Sequence, residues 1–307
     1  MTPPLPLPNS RAEIAKIQSE RKRLAVEQAK RAPFFKGKLD HIRLDRLDDP
    51  DEWRKIPILD KEILRNLSDA EFYEDFCVKP PDGIAEYWRS GGSTGKPLFY
   101  PRSYTDIRYL LRSFSRTFSA AGARRGDSAH VSFPLGIHPV GQIYGRCATH
   151  EGITVNWAGA GTNTPTLLQL ELIARMKPTI FLGMPGFALH LANVAVAQGI
   201  DLSQGSVKVV MCSAEPVSEG KRHKIEQLWG ARLSDNFGMT EAGMMGAEDG
   251  GPGGFRIWTD MYFIEVLHPE TFEPVDDGEE GTLVTTALFS NNVTPFLRWN
   301  SGDLVVY

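Results

Sequence analysis

The 307-residue sequence is poor in cysteine: Cys77, Cys147 and Cys212 lie far apart, and none belongs to a CxxC pair or a Cys/His cluster. That usage gives no disulfide framework and no zinc site, and it fits a reducing compartment. No run of 18 apolar residues occurs, so no membrane-spanning helix is written into the chain. The opening "MTPPLPLPNS" lacks an apolar core flanked by basic residues and does not read as a signal peptide. A soluble, cytoplasmic protein is the expectation. Positive charge is not in excess either, since 34 basic against 38 acidic residues leave a net charge of −4. Neither nucleic acid nor a membrane is indicated as a partner, and any anionic ligand must be met by local donors. No HExxH or catalytic Cys/His signature is present, and no internal repeat is visible.

What is present is ordinary for a globular chain: 41% hydrophobic and 23% charged residues, over a length sufficient for one large domain or two smaller ones. After a Pro-rich arm, Asn9 or Ser10 can cap a helix through "RAEIAKIQSERKRLAVEQAKRA", which ends before Pro33. Ile14, Ile17, Leu24, Ala25 and Val26 form its buried stripe, and its basic face reads as solvated. "WRKIPILDKEILRNLSD" reads as a loop entering a short helix near Asp60. Further on, "EYWRS" and "PLFYPRS" are strand-like, and "YTDIRYLLRSFSRTFSAAG" has helical spacing. Then "SAHVSFPLG", "GITVNWAGAG", "PTIFLGMP" and "VKVVMCSAEP" are short apolar runs ending in Gly or Pro. They alternate with the helical stretches "TLLQLELIARM", "FALHLANVAVAQG" and "GKRHKIEQLWG". This is an α/β pattern, a mainly parallel sheet covered by helices, whose ligands collect at the carboxyl ends of the strands. From about Gly250 the helical signal gives way to apolar–polar alternation, read as an antiparallel, barrel-like β subdomain. The expected division is 1–80, an N-terminal helical segment; 81–250, an α/β subdomain for nucleotide and acid; and 251–307, the antiparallel subdomain.

The two strand-like stretches enclose "SGGSTGKP", residues 90–97. A Walker A loop needs G-x-x-x-x-G-K-[ST] between a strand and a helix. Here Ser90 stands at the first glycine, Pro97 follows Lys96, and a strand follows the loop, which argues against a P-loop NTPase. The chemistry still suits phosphate. Gly91, Gly92 and Gly95 let backbone N–H groups turn towards an anion, Ser90, Ser93 and Thr94 add hydroxyls, and Lys96 adds charge. On composition alone, a glycine-rich hairpin turn remains the alternative.

This loop resembles the phosphate loop of the adenylate-forming enzymes, the superfamily of acyl- and aryl-coenzyme A ligases, peptide-synthetase adenylation domains and luciferases. Two more stretches follow in the family's order. "DNFGMTEAG" resembles its aromatic-Gly-x-Thr/Ser-Glu motif, and "FLRWNSGDL" its Tyr/Trp-x-Thr/Ser-Gly-Asp motif. "AKRAPFFKGKLD", "DEWRKIPILDKEILR", "SAEPVSEGKRHKIEQLWG" and "FRIWTDMYFIEVLHPET" are most similar to the phenylacetate–coenzyme A ligase branch.

The resemblance implies ATP, magnesium and coenzyme A as ligands, a carboxylic and preferably aromatic acid as substrate, and leaves room for a homodimer. It assigns the β- and γ-phosphates to Ser90, Gly92, Ser93, Thr94, Gly95 and Lys96, with Gly92 and Ser93 departing from the usual letters. Thr240 is implied at the α-phosphate and Glu241 at the magnesium. A carboxylate beside a triphosphate needs such a cation, although locally Glu241 also reads as the start of a helix after a cap-like Thr240. Asp303 is implied at the ribose hydroxyls. Ala214, Glu215 and Pro216, with Asp235, Asn236, Phe237 and Gly238, are implied around the adenine, Phe237 replacing the usual Tyr. The acid is expected against Phe133, His138, Gly183, Ala214, Gly238 and Met239, a flat apolar slot; His138 reads equally as a satisfied loop histidine.

The sequence stops at Tyr307, where the family continues through a hinge into a small lid domain carrying a catalytic lysine. This chain is therefore expected to bind ATP and acid but to turn over slowly. The competing readings are adenylation with transfer to an amine, hydroxyl or carrier thiol, and a non-catalytic module that senses nucleotide or aryl acid.

Overall fold

In the computed structural model, which describes residues 7–90, 97–248 and 254–307, the chain divides into two units: Met1–Tyr109 with Trp258–Tyr307, and Leu110–Ile257. The first unit opens with α1 (Arg11–Ala29). Ser10 Oγ accepts from Glu13 N–H at 3.1 Å, while the Glu13 carboxylate accepts from Asn9 N–H at 2.8 Å. These bonds satisfy N–H groups that a helix start otherwise leaves open. Ala25 and Val26 are buried as the spacing requires, but Leu24 is 37% exposed and Lys22 takes a buried place. The Lys22 ammonium donates to Leu47 O at 2.7 Å and lies 4.7 Å from the Phe263 ring centroid, so the basic face is not wholly solvated.

Two short helices follow, α2 (Pro50–Arg54) and α3 (Lys61–Arg65), the latter capped by Asp60 as its sequence suggests. A π-helical turn, Glu71–Phe76, precedes the antiparallel ribbon of β1 (Ile84–Arg89) and β2 (Phe99–Ser103). The Tyr73 hydroxyl donates to Phe99 O at 3.1 Å, tying that turn to the ribbon.

After α4 (Tyr104–Ala120), the second unit is built on one seven-stranded sheet. Strands β3 (Ser128–Val131), β4 (Thr154–Trp157), β5 (Ile180–Gly183), β6 (Val209–Ser213) and β7 (Arg232–Met239) are parallel. Strands β8 (Gly243–Ala247) and β9 (Arg256–Ile257) add antiparallel to give the order β4-β3-β5-β6-β7-β8-β9. Helices α5 (Pro139–His150), α6 (Thr166–Met176), α7 (Pro185–Ala197) and α8 (Glu219–Trp229) make the crossovers between the parallel strands. Phe181, Val210, Cys212 and Leu233 of the sheet pack against Ile173, Leu191, Ile225 and Trp229 of α6 to α8. The helix α5 was not visible in the sequence, because Gly141 and Gly145 weaken its helical signal. Packing demands both: a Cβ at 141 would lie 2.5 Å from Pro134 O, and the Trp157 ring occupies the space beside Gly145.

Strand order reverses at β3. Its connection through α5 leads outward to β4, whereas the connection from β5 leads the opposite way to β6. Such a reversal leaves a crevice outside the carboxyl ends of β3 and β5. The chain then returns to the first unit for a three-stranded antiparallel sheet, β10 (Tyr262–Leu267), β11 (Glu280–Ala287) and β12 (Trp299–Val306). Tyr100 meets Phe296 edge-on at 5.4 Å, and Phe296 meets Trp299 at 5.0 Å, within the core of that unit.

A polar network is buried beside β3. Asn156 Nδ2 donates to His130 Nδ1 at 2.8 Å, which leaves Nε2–H to donate to Gln169 Oε1 at 3.1 Å. Ser132 Oγ donates to the same oxygen, and Gln169 Nε2 donates to Gly159 O and Thr164 O. Burial lowers the His130 pKa and favours the neutral ring that this pattern needs. Gln169→Leu should strand several of these groups and destabilise the protein by about 3 kcal/mol in chemical denaturation. A loss below about 0.5 kcal/mol would show that the network does not hold the loop after β4.

Candidate functional site

The carboxyl edge of the parallel strands collects most of the residues expected around nucleotide and acid. In register across the sheet, Gly183 stands opposite Cys212, Cys212 opposite Asp235, and Ser213 opposite Asn236. Met184 and Ala214 are the next positions outward on their strands, and Phe133 lies two residues past the end of β3. Ala214 has φ 73°, a left-handed conformation that strains a residue with a Cβ. The following Glu215 accepts from the Gly186 N–H at 2.9 Å, at the first turn of α7. Its carboxylate thus satisfies an open helix donor and complements the positive end of the helix.

On β7, Asn236 Nδ2 donates to Cys212 O at 3.0 Å, while its Oδ1 is buried and has no hydrogen-bond partner among the described residues. A buried acceptor left unpaired costs about 1–3 kcal/mol, so a donor from a ligand would be favoured there. Beside it, the Asp235 carboxylate accepts from the Asn236 N–H, and Glu248 accepts from the Asp235 N–H, both at 2.9 Å. Arg222 donates to Glu248 and to Leu233 O. Burial, and then the neighbouring Glu248 charge, push Asp235 up to about 7. Arg222 and Glu248 were not foreseen from the sequence; they lie on α8 and beyond β8, and only the folded sheet joins them to Asp235.

Thr240 and Glu241 do not begin a helix. They occupy the tight connection between the antiparallel strands β7 and β8, and this corrects the local helix-start reading. The register shifts between Phe237 and Gly238, where a Cβ at 238 would lie 2.5 Å from Gly243 O. Glycine lets the two strands close this tightly, and the resulting bulge turns the hairpin end. Glu241 is 5% exposed, Thr240 and Met239 are half-buried, and Gly238 is exposed. Phe133 is fully buried, stacked on Tyr144 at 5.3 Å with ring planes 5° apart. Phe133 is thus enclosed in the core beyond the carboxyl end of β3. His138 is the half-buried N-cap residue of α5.

In the first unit, Ser90 closes the β1–β2 ribbon: its N–H donates to Leu98 O at 2.9 Å, and its Oγ accepts from Leu98 N–H at 3.3 Å. The expected phosphate ligands Gly92, Ser93, Thr94, Gly95 and Lys96 lie outside the described residues. Asp303 is exposed on a β12 bulge, where Ser301, Gly302 and Asp303 together face Leu283. Ser301 Oγ accepts from Asp303 N–H at 3.0 Å, and Asn300 Oδ1 accepts from Gly302 N–H at 3.1 Å. Among the described residues no helix is long and apolar enough to cross a membrane, and no cluster of three or more His, Cys, Asp or Glu side chains could hold a metal. All three cysteines are free and buried, and burial pushes the Cys77 thiol up to about 12, far from a reactive thiolate.

The family of AMP-binding enzymes matches residues 13–287. The phenylacetate–coenzyme A ligase of Pseudomonas putida is 33% identical over 262 residues, which are 81% of this chain and 56% of that protein. The enzyme of the same name from Thermus thermophilus is 29% identical over 307 residues, 96% of this chain and 66% of that protein. The chain thus spans less than two thirds of the length of both. Among solved structures, an open conformation of 2-hydroxyisobutyryl-CoA ligase, in complex with 2-HIB-AMP and CoA, superposes with a TM-score of 0.89. It is 24% identical and covers 100% of this chain and 74% of that one, a likeness of fold.

The raised Asp235 pKa makes stability pH-dependent. With an ordinary carboxyl value of 3.8 in the unfolded chain and about 7 in the fold, its stabilising contribution is complete below pH 3.8. It is lost as pH rises through 7. Asp235→Asn should therefore raise the melting temperature more at pH 8 than at pH 5; equal shifts at both pH values would reject a neutral folded Asp235.

Proposed function

The chain belongs to the family of AMP-binding enzymes, in the branch similar to phenylacetate–coenzyme A ligases, and from that premise we propose that it binds ATP and a carboxylic acid for activation of the acid as an acyl-adenylate. Transfer to coenzyme A completes the reaction of the whole protein. One observation carries this reading. The strained Ala214, the unpaired Asn236 Oδ1 and the Thr240–Glu241 hairpin all belong to the carboxyl edge of the same sheet. An exocyclic amino group on the adenine would supply the donor that Asn236 lacks.

The reaction asks for position and charge control more than for a protein nucleophile. The acid carboxylate attacks the α-phosphate of ATP, and pyrophosphate leaves. Thr240 donates its hydroxyl to an α-phosphate oxygen, Asp303 accepts from both ribose hydroxyls, and Ser90, Gly92, Ser93, Thr94, Gly95 and Lys96 meet the outer phosphates. Glu241 fits a magnesium only in company with phosphate oxygens, because a single carboxylate cannot fill an octahedral oxygen shell. When bound, that ion neutralises phosphate charge. The acid is read as aromatic, since Gly183, Ala214, Gly238 and Met239 offer small or soft apolar surfaces to a flat ring.

ATP–pyrophosphate exchange by the full-length protein across a panel of aryl and alkyl acids tests the proposal: exchange is expected, strongest with aryl acids, and silence with every carboxylate would overturn it. Asp303→Ala should weaken ATP binding by about 1–3 kcal/mol in calorimetry, the worth of hydrogen bonds to a charged group. Unchanged affinity would remove Asp303 from the nucleotide site.

A further inference from the structure

We infer that Arg298 is a positioning residue for the nucleotide ribose, fixing through its buried pair with Glu265 the strand bulge that presents Asp303. This rests on the proposed placement of ATP and adds a residue that no motif singles out. Arg298 is 2% exposed and has φ 43°, a left-handed conformation that glycine would take without strain. The strain is held by an unusually full set of bonds. Nε and Nη2 donate to the two Glu265 oxygens at 3.1 and 2.9 Å, and Nη1 donates to Arg54 O and Ile56 O at 2.9 and 2.8 Å. The backbone N–H donates to Thr286 Oγ1, and the backbone oxygen accepts from Leu59 N–H. Trp53 Nε1 shares the Glu265 carboxylate at 2.9 Å.

From this point the order continues along the strand. Asn300 N–H donates to Leu59 O at 2.8 Å, Thr282 Oγ1 donates to Asn300 Oδ1 at 2.7 Å, and that oxygen also holds Gly302 N–H. Ser301 Oγ donates to Leu283 O and accepts from Asp303 N–H. Thus the residue entering β12 is locked by a planar fork, and the bulge within the strand carries an exposed carboxylate. A slip of one residue would turn that carboxylate to the opposite face. A buried ion pair adds little net stability over apolar residues of the same volume; what a bidentate fork adds is a single orientation. Lysine cannot reproduce it.

The test uses a double variant, Arg298→Leu with Glu265→Leu, which leaves no unpaired buried charge, and a second variant, Arg298→Lys, which keeps the charge and loses the fork. Binding of ATP and of 2′,3′-dideoxy-ATP is measured for each folded variant and for Asp303→Ala. ATP affinity should fall roughly tenfold, about one hydrogen bond to a charged group, while affinity for the dideoxy nucleotide, which has no ribose hydroxyls, stays at the wild-type level. Equal losses for both nucleotides, or no loss for either, overturn the inference. Should Asp303→Ala bind ATP normally, the ribose assignment itself fails and takes this inference with it. If Asp303→Ala discriminates the two nucleotides and the Arg298 variants do not, only the Arg298 role is lost.

Discussion

Parallel strands that end on one edge, with connections diverging from β3 and β5, constrain everything else in the second unit. Backbone groups at those ends no longer pair within the sheet, so they are free to face a ligand, and the chain there must turn sharply. Gly183, the strained Ala214 and the tight Gly238–Gly243 approach are three local solutions to that demand. Each removes bulk or accepts strain where the strand gives way to a turn. The same edge therefore supplies small apolar surfaces and the unpaired Asn236 acceptor together, which is what a nucleotide joined to an organic acid would need.

Each unit holds a buried ion pair, and the logic of the two is similar. In the second unit Arg222 binds Glu248, and Glu248 in turn holds the Asp235 N–H. In the first unit Arg298 binds Glu265, and β12 runs on to Asp303. Neither pair is an efficient source of stability, because desolvation offsets most of the attraction. Each instead joins its partners in a defined geometry. The difference lies in the remainder: Asp235 is left beside a second carboxylate and is pushed towards neutrality, whereas the Arg298–Glu265 fork is complete.

Much of the architecture was legible in the chain itself. The alternation of short apolar runs with helical stretches announced β3 to β6 and the crossover helices α6 to α8, and Ser10 and Asp60 marked helix starts that formed as caps predict. Three short motifs in order identified the family. Other features were hidden for specific reasons. The glycines of α5 lower its helix propensity, yet they are required by Pro134 O and Trp157, which lie outside that helix. His130 and Gln169 are polar residues set within apolar stretches, and only their meeting inside the fold explains both.

The sequence by itself determined the fold class, the family and the candidate ligands, because hydrophobic period, caps and local motifs act over a few residues and survive in one dimension. Tertiary structure alone decided that Thr240 and Glu241 sit in a hairpin, that Asp235 shares its site with Glu248, and that Arg298 is locked against Glu265. The last two facts depend on groups 13 and 33 residues apart in the chain being brought within hydrogen-bond range, and no local propensity encodes such a distance.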